Sequence, residues 1–328
     1  MDLVHPVPDA FHVKGVSTLY DKSGDVAAQW VKTDRNKERA FEALKEAAQA
    51  LSDDLSRAKP VPPPKQTAAD LCNTYTMTDC HLGMYAWHRE GGEDWDLNIA
   101  ERVLTGCFAA MVNSSVDAET GVVAVLGDWL HYDSLAALTP TSGHILDADG
   151  RYAKMVQVGV KVIRGLVDCA LRKHDRVVLL IAEGNHDIAG SVWLRAMFQA
   201  LYEAEPRVTV IDSELPFYAY QHGSTMLCWH HGHLKKNDAL PLMMASQFSE
   251  MWGATKKRYC HTGDKHHVDE KEHSGMIVCQ HPTLAARDAY ASRHGWHALR
   301  SANCITYHRQ HGEVARVKVC PEMLEAAE

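Results

Sequence analysis

Two rhythms of apolar and polar positions run along this chain. Beyond about residue 67, short apolar runs alternate with longer stretches in which apolar side chains recur every three to four positions. The first rhythm predicts strands at residues 71–78, 122–126, 177–182 and 225–229, and the second predicts helices at 96–112, 151–174, 191–203 and 240–252. A further strand is expected at 276–280, then a hairpin whose strands, 302–308 and 314–319, flank His311-Gly312. Alternating strands and helices predict an α/β architecture, and the β-rich final third predicts a second sheet packed against the first.

The start of the chain reads differently. Residues 11–14 and 29–32 flank the turn-rich Asp21-Lys22-Ser23-Gly24-Asp25 and predict a small β element. Ala40, Leu44, Ala47, Ala48 and Leu51 fall on one face of a charged helix expected over 34–58. Pro60-Val61-Pro62-Pro63-Pro64 marks a semi-rigid linker. Residues 1–65 are therefore expected to form an N-terminal extension and 66–328 the main domain.

Composition narrows the classes. With 46% hydrophobic residues in 328, the chain can bury a full core. No apolar run approaches the roughly 18 residues of a membrane span, and the first residues lack the basic and apolar regions of a secretory signal. The nine cysteines are scattered and form no CxxC pair, as expected for reduced cytosolic thiols that fill a core. A net charge of −8 argues against coating nucleic acid by bulk electrostatics. Residues 256–318 differ: eleven Lys and Arg stand against six Asp and Glu, with nine His besides, so a locally basic face toward a polyanion stays open beside an ordinary solvated face.

The chemistry sits where predicted strands end. Asp79-Cys80-His81 follows the first; in an extended segment Asp79 and His81 would point one way and Cys80 the other. Gly127-Asp128 closes the second, and one carboxylate has two oxygens with which to bridge two cations. Gly184-Asn185-His186-Asp187 closes the third; Asn185 offers a neutral carbonyl oxygen, His186 could touch substrate, and Asp187 could orient that imidazole and favour its charged form. His230-His231-Gly232-His233 closes the fourth, a density of imidazoles from which at least one ligand is expected, and Gly263-Asp264-Lys265-His266 follows. Each motif alone is compatible with an ordinary turn or helix cap. Together they supply carboxylate, imidazole and amide donors for two divalent ions, a standard device for phosphate esters. The long loop between His131 and Arg151 is expected to border the substrate groove.

In this order the motifs resemble the D-x-H, G-D, G-N-H-D, H-G and G-(H)-x-H of the calcineurin-like metallophosphoesterases, over about residues 70–275. Asp79-Cys80-His81-Leu82-Gly83 and Gly127-Asp128-Trp129-Leu130-His131 are similar to motifs of the SbcD-type DNA nuclease branch. The whole chain, including residues 11–14 and Thr283-Leu284-Ala285-Ala286-Arg287-Asp288, resembles a phage- and prophage-encoded group of these proteins. The resemblance implies a four-layer αββα sandwich with two mixed β-sheets flanked by helices. It implies Asp79, His81 and His266 on one metal, Asn185 and His231 on the other, and Asp128 bridging. His186 would be the proton donor or transition-state stabiliser, with Asp187 and His131 beside it in the catalytic set. Asp264 stands where the family usually carries histidine. Ligation through its oxygen would favour manganese or magnesium over zinc; manganese is the expected metal, with magnesium, zinc and iron as alternatives.

Three readings compete. A DNA exonuclease or endonuclease is favoured by the motif details and by Arg287, Arg293, Arg300 and Arg309. A phosphodiesterase or phosphatase for nucleotides or other small molecules is the alternative. A binding protein that lost a metal at Asp264 is the third, against which retention of His186 and the other ligands argues. No membrane partner is expected, a homodimer is left open, and the expected location is cytoplasmic, in the bacterial host if the chain is phage-encoded.

Overall fold

The computed structural model describes residues 11–35 and 61–325, which belong to two compact units, Met1–Ser56 and Arg57–Glu328. In the first unit, β1 (Phe11–Tyr20) and β2 (Val26–Arg35) form an antiparallel hairpin. Its turn is held by Asp21, whose Oδ1 accepts from the backbone N–H groups of Ser23 and Asp25 at 2.8 and 3.0 Å. The helix expected over 34–58 lies outside the described residues, apart from Asp34 and Arg35, which close β2.

In chain order the second unit runs β3 (Ala68–Met77), α1 (His88–Gly91), α2 (Leu97–Ser114), β4 (Ala118–Leu126), α3 (Tyr152–Leu171), β5 (Arg176–Ala182), α4 (Ile188–Leu201), β6 (Val208–Val210), β7 (Tyr218–His222) and β8 (Thr225–Trp229). It continues with α5 (Leu240–Gln247), α6 (Ser249–Ala254), β9 (Lys257–Thr262), β10 (Asp269–His273), β11 (Met276–Gln280), α7 (Ala289–Arg293), β12 (Ala302–His308), β13 (Gly312–Val319) and α8 (Glu322–Glu325). The proline run before β3 is tied to this unit, because the Val61 carbonyl accepts from Arg207 Nη1 at 2.8 Å.

Two mixed sheets result. The six-stranded sheet has the order β13-β12-β3-β4-β5-β6, with β3 to β6 parallel and β12 and β13 antiparallel. The five-stranded sheet has the order β10-β11-β9-β8-β7, with β8, β9 and β11 parallel. Side chains alternate along each strand, so Val122, Ala124 and Leu126 of β4 enter the core between the sheets, where they join Leu227 and Trp229 of β8, Tyr259 of β9 and Ile305 of β12. Val123 and Val125 are also buried, so β4 is covered on both faces. The far side of the second sheet is closed by Leu240 and Met244 of α5, packed on Met226, Cys228, Cys260 and Val278. The architecture is thus α/β, two mixed sheets flanked by helices.

Most expected elements fall within a few residues of their predicted bounds. Helix α2 starts where a cap is available: Asp96 Oδ1 accepts from Ile99 N at 2.8 Å. The helix expected over 240–252 is two helices, broken at Phe248, whose φ −123 and ψ 50 leave the helical region. Strands β6, β7, β9 and β10 were not legible as strands. β9 is central in its sheet but mixes Lys257, Arg258 and His261 into its apolar pattern. β10, Asp-Glu-Lys-Glu-His, is a charged edge strand. Among the described residues, no helix is long and apolar enough to cross a membrane.

Candidate metal centre

The parallel strands deliver their C-terminal ends to one edge, and the candidate ligands lie just beyond those ends. Asp79 and His81 follow β3, Asp128 and His131 follow β4, and Asn185 to Asp187 follow β5; His231 follows β8, and Asp264 and His266 follow β9. The loops are laced together by backbone. Asp79 N donates to Gly127 O at 3.1 Å, His81 N to Asp128 O at 2.9 Å, and Gly263 N to His231 O at 2.7 Å. Asp264 N donates to both Asp79 oxygens, at 3.1 and 3.0 Å, which joins a loop of one sheet to a loop of the other. Asp79 is further held by Thr78 Oγ1, which donates to Oδ2 at 2.6 Å, and its carbonyl accepts from Thr283 Oγ1 at 2.6 Å.

The expectation that Asp79-Cys80-His81 is extended does not hold. Strand β3 ends at Met77, and Asp79 and His81 have φ of 52 and 43, in the left-handed region. Cys80 is buried, with Sγ against the Thr78 carbonyl at 3.7 Å. The five non-glycine residues with positive φ among the described residues are Asp79, His81, Asp128, Asp264 and His266. All five are candidate ligands. A left-handed L-residue costs about 1–2 kcal/mol, and such strain persists where the surroundings over-determine it, characteristically at functional sites. The glycines of the motifs allow the close approach: a Cβ at Gly184 would overlap the Asp128 carboxylate, and one at Gly263 would overlap Thr78 Oγ1.

Three groups of donor atoms form, each within 4.8 Å: Asp79, His81 and His266; Asp79, Asp128 and His231; and His81, His131 and His186. The resemblance gives the bridging role to Asp128, yet the carboxylate common to the first two groups is Asp79. His266 Nε2 stands 3.1 Å from Asp79 Oδ1, and His231 Nε2 stands 3.3 Å from Asp128 Oδ2 and 3.7 Å from Asp79 Oδ1. Burial alone would raise both carboxyl pKa values. The facing imidazoles reverse this, holding Asp79 down at about 2 through His266 and His231, and Asp128 below the usual carboxylate range chiefly through His231. Conversely, burial opposes charge on His231, but Asp128 and Asp79 raise it to about 10.

These residues fit divalent ions. His231 Nδ1 donates to the Leu126 carbonyl at 2.7 Å, which fixes the ring and turns Nε2 toward the two carboxylates. That Nε2 and Asn185 Oδ1 are buried and make no hydrogen bond of acceptable geometry, a deficit that coordination would relieve. Asp264 belongs to none of the three groups; its Oδ2 lies 2.5 Å from Lys265 Nζ, again without hydrogen-bond geometry. His230 turns away and stacks on Phe217, with ring centroids 5.1 Å apart.

The His186 ring is oriented by a different group from the one expected. Its Nδ1 donates to the His131 carbonyl at 2.8 Å, which leaves Nε2 available for proton transfer. Asp187 does not hold this imidazole. Its carboxylate accepts instead from the backbone N–H groups of Asp128, Trp129, Leu130 and Gly184, at 3.2, 2.8, 3.1 and 3.0 Å. Asp187 therefore positions the loop that carries Asp128. Burial, and then repulsion from Asp128, raise its pKa against the pull of those donors. His131 stacks on His186 with centroids 5.5 Å apart, and its Nδ1 lies 3.3 Å from His81 Nδ1. Burial pushes His131 down to about 3 and His81 well below the ordinary value, so both rings are neutral.

The centre opens into a cavity of about 1130 Å³ that reaches from Asp128, His186 and His266 out to Tyr290 and Trp296. His144 and Ile145 of the long loop after His131 line it, as does Thr283. Sequence reasoning gave no role to Thr78, nor to Thr283 within its segment 283–288, since a threonine hydroxyl carries no ligand signal. It also missed the aromatic rim, since Tyr290 and Trp296 belong to no metal motif.

No family model and no curated protein matches the chain. Among solved structures it is similar to a predicted phosphoesterase from Streptococcus pneumoniae TIGR4, with 11% identity, 77% of this chain and 99% of that chain covered, and a TM-score of 0.32. A novel archaeal phosphodiesterase shares 10% identity, with 75% and 99% covered and a TM-score of 0.37. Zinc-complexed Vps29 from Entamoeba histolytica shares 12% identity, with 76% and 98% covered and a TM-score of 0.29.

Proposed function

We propose that this chain is a dinuclear metal-dependent phosphoesterase that hydrolyses phosphodiester bonds, with DNA as its substrate. The observation that carries the reading is the pair of donor groups sharing Asp79 on the floor of an open cavity, with the His186 ring beside them. Two divalent ions bound there would supply Lewis acidity and neutralise charge on the phosphoryl oxygens. The chain's own residues do the rest. Asp187 and the backbone lacing hold Asp128 in place, the Leu126 carbonyl fixes His231, and the His131 carbonyl fixes His186 so that Nε2 can protonate the leaving oxygen. Manganese is the metal we favour, because the donors gathered at the centre include the carboxylate oxygens of Asp79 and Asp128 beside the imidazoles. The cytoplasm is the corresponding place of action.

The test is hydrolysis of bis-p-nitrophenyl phosphate and of linear single- and double-stranded DNA, with manganese, magnesium or zinc, for wild type and His186→Ala. We expect metal-dependent cleavage of the small ester and of DNA, lowered about 100-fold or more in the variant. Cleavage of the ester with intact DNA would replace the nuclease reading by a small-molecule phosphodiesterase. No turnover of either substrate by protein holding two metal ions would overturn the reading.

A further inference from the structure

We propose that Tyr290, His294 and Trp296 form a nucleobase-stacking platform that seats an unpaired strand of nucleic acid beside the donor clusters. The three rings form one cluster: Tyr290 and His294 have centroids 4.3 Å apart at 45°, His294 and Trp296 4.9 Å apart at 30°, and Tyr290 and Trp296 meet edge to face at 5.8 Å and 76°. Their backbone is braced in advance. Asp288 caps α7, with Oδ1 accepting from Ala291 N at 2.8 Å; His294 Nδ1 donates to the Tyr290 carbonyl at 2.9 Å; and Trp296 N donates to the Ala291 carbonyl at 3.0 Å. A rigid aromatic surface loses little entropy when a ligand lands on it.

Despite this bracing, Tyr290 is 61% exposed and Trp296 58% exposed. Large exposed aromatics that line the same cavity as a cluster of metal donors mark a binding surface rather than unfinished packing. The ligand that suits such a cavity has a phosphate at one end and a flat π-system at the other. A nucleotide has both.

Two observations extend this from one nucleotide to a strand. Tyr290 also walls an adjoining hollow of about 540 Å³, whose other lining is Tyr85, Trp87, Ala289 and Arg293 with the carboxylates of Glu90 and Asp147. Tyr85 and Trp87 are themselves 50% and 42% exposed, and the Arg89 guanidinium lies 5.4 Å from the Trp87 ring centre. Aromatic faces therefore continue away from the donor clusters, as in proteins that stack successive bases of a single strand, with Arg293 in the same hollow as Glu90 and Asp147. In a duplex the base faces are occupied by their neighbours, so this platform selects unpaired bases.

The inference deepens the phosphodiesterase reading and rests on it for the position of the scissile bond, but its test is a binding measurement that hydrolysis does not enter. The metal-loaded full chain carrying His186→Ala, which keeps the strand intact, would be titrated into a fluorescein-labelled twelve-residue oligothymidylate and into an abasic oligomer of the same length. Trp296→Ala and Tyr290→Ala, each added to that background, should weaken oligothymidylate binding about tenfold. Both should leave the abasic oligomer unchanged, and Trp296→Phe should restore affinity. Equal affinity for oligothymidylate in parent and alanine variants, or equal affinity of the parent for the two oligomers, would overturn the platform. Absence of turnover of both the ester and DNA by metal-loaded wild type would instead overturn the catalytic reading and leave the platform standing.

Discussion

At the scale of single residues, the centre is a set of side chains held in conformations they would not choose alone. Asp79, His81, Asp128, Asp264 and His266 all have φ between 43 and 64. That strain must be offset locally, and Asp187 is one source of the offset, since four buried N–H groups end on its carboxylate. Asp187→Ala would leave those donors without partners. We expect a loss of about 3 kcal/mol or more in unfolding free energy, read by urea denaturation, together with at least tenfold weaker metal binding, read by calorimetry. Unchanged stability would show that solvent or backbone satisfies the donors and that the loop does not depend on Asp187. The motifs named this residue but not its task. A carboxylate beside a histidine in sequence suggests an imidazole partner, whereas the turn at Asn185-His186 sends the ring to the His131 carbonyl instead.

At the scale of elements, the strand ends were legible because buried strands read as plain apolar runs. Strands β4, β5, β8 and β12 sit where those runs lie. Among the strands that remained unread, β9 and β10 carry charge and β6 has only three residues. The pairing of elements was equally hidden. His174 lies just beyond α3, yet its Nδ1 donates to the Ala118 carbonyl of β4 at 2.7 Å and its Nε2 meets Tyr75 Oη of β3 at 2.8 Å. Burial lowers this imidazole to about 4, so it is neutral in the fold. The folded pKa lies below the unfolded value near 6.5, so the unfolded chain binds more protons between them and acid favours unfolding. We expect melting temperature to fall as pH drops from about 6.5 to about 4 through this residue, with no further contribution below that. His174→Gln should flatten the decline; an unaltered slope would assign it to other buried histidines, such as His261 and His281, which burial also lowers.

At the scale of the whole molecule, the centre exists only because two sheets meet. Asp79, Asp128 and Asn185 come from the six-stranded sheet, while His231 and His266 come from the five-stranded one. In the metal-free protein His231 carries a proton, held by Asp128 and Asp79. A metal must displace it. Metal affinity should therefore rise with pH across the neutral range, and calorimetry in buffers of different ionisation enthalpy should register proton release. A pH-independent affinity would mean that His231 is neutral before binding. The sequence order of the motifs made this convergence readable in outline, but not the aromatic rim, which enters through segments 85–87 and 290–296 and has no counterpart in the metal motifs.

The bond from Asp264 N to the Asp79 carboxylate crosses between loops of the two sheets, and it has a kinetic meaning. Residues 185 positions apart must come together before any ion finds its full set of donors. Closing so long a loop costs entropy before other contacts offset it, so we expect ions not to seed the structure. They can only hold it shut. Added manganese should leave the refolding limb of a chevron plot where it was and lower the unfolding limb. The ions would then act as a latch on the finished protein, lengthening the lifetime of the native state without quickening its birth.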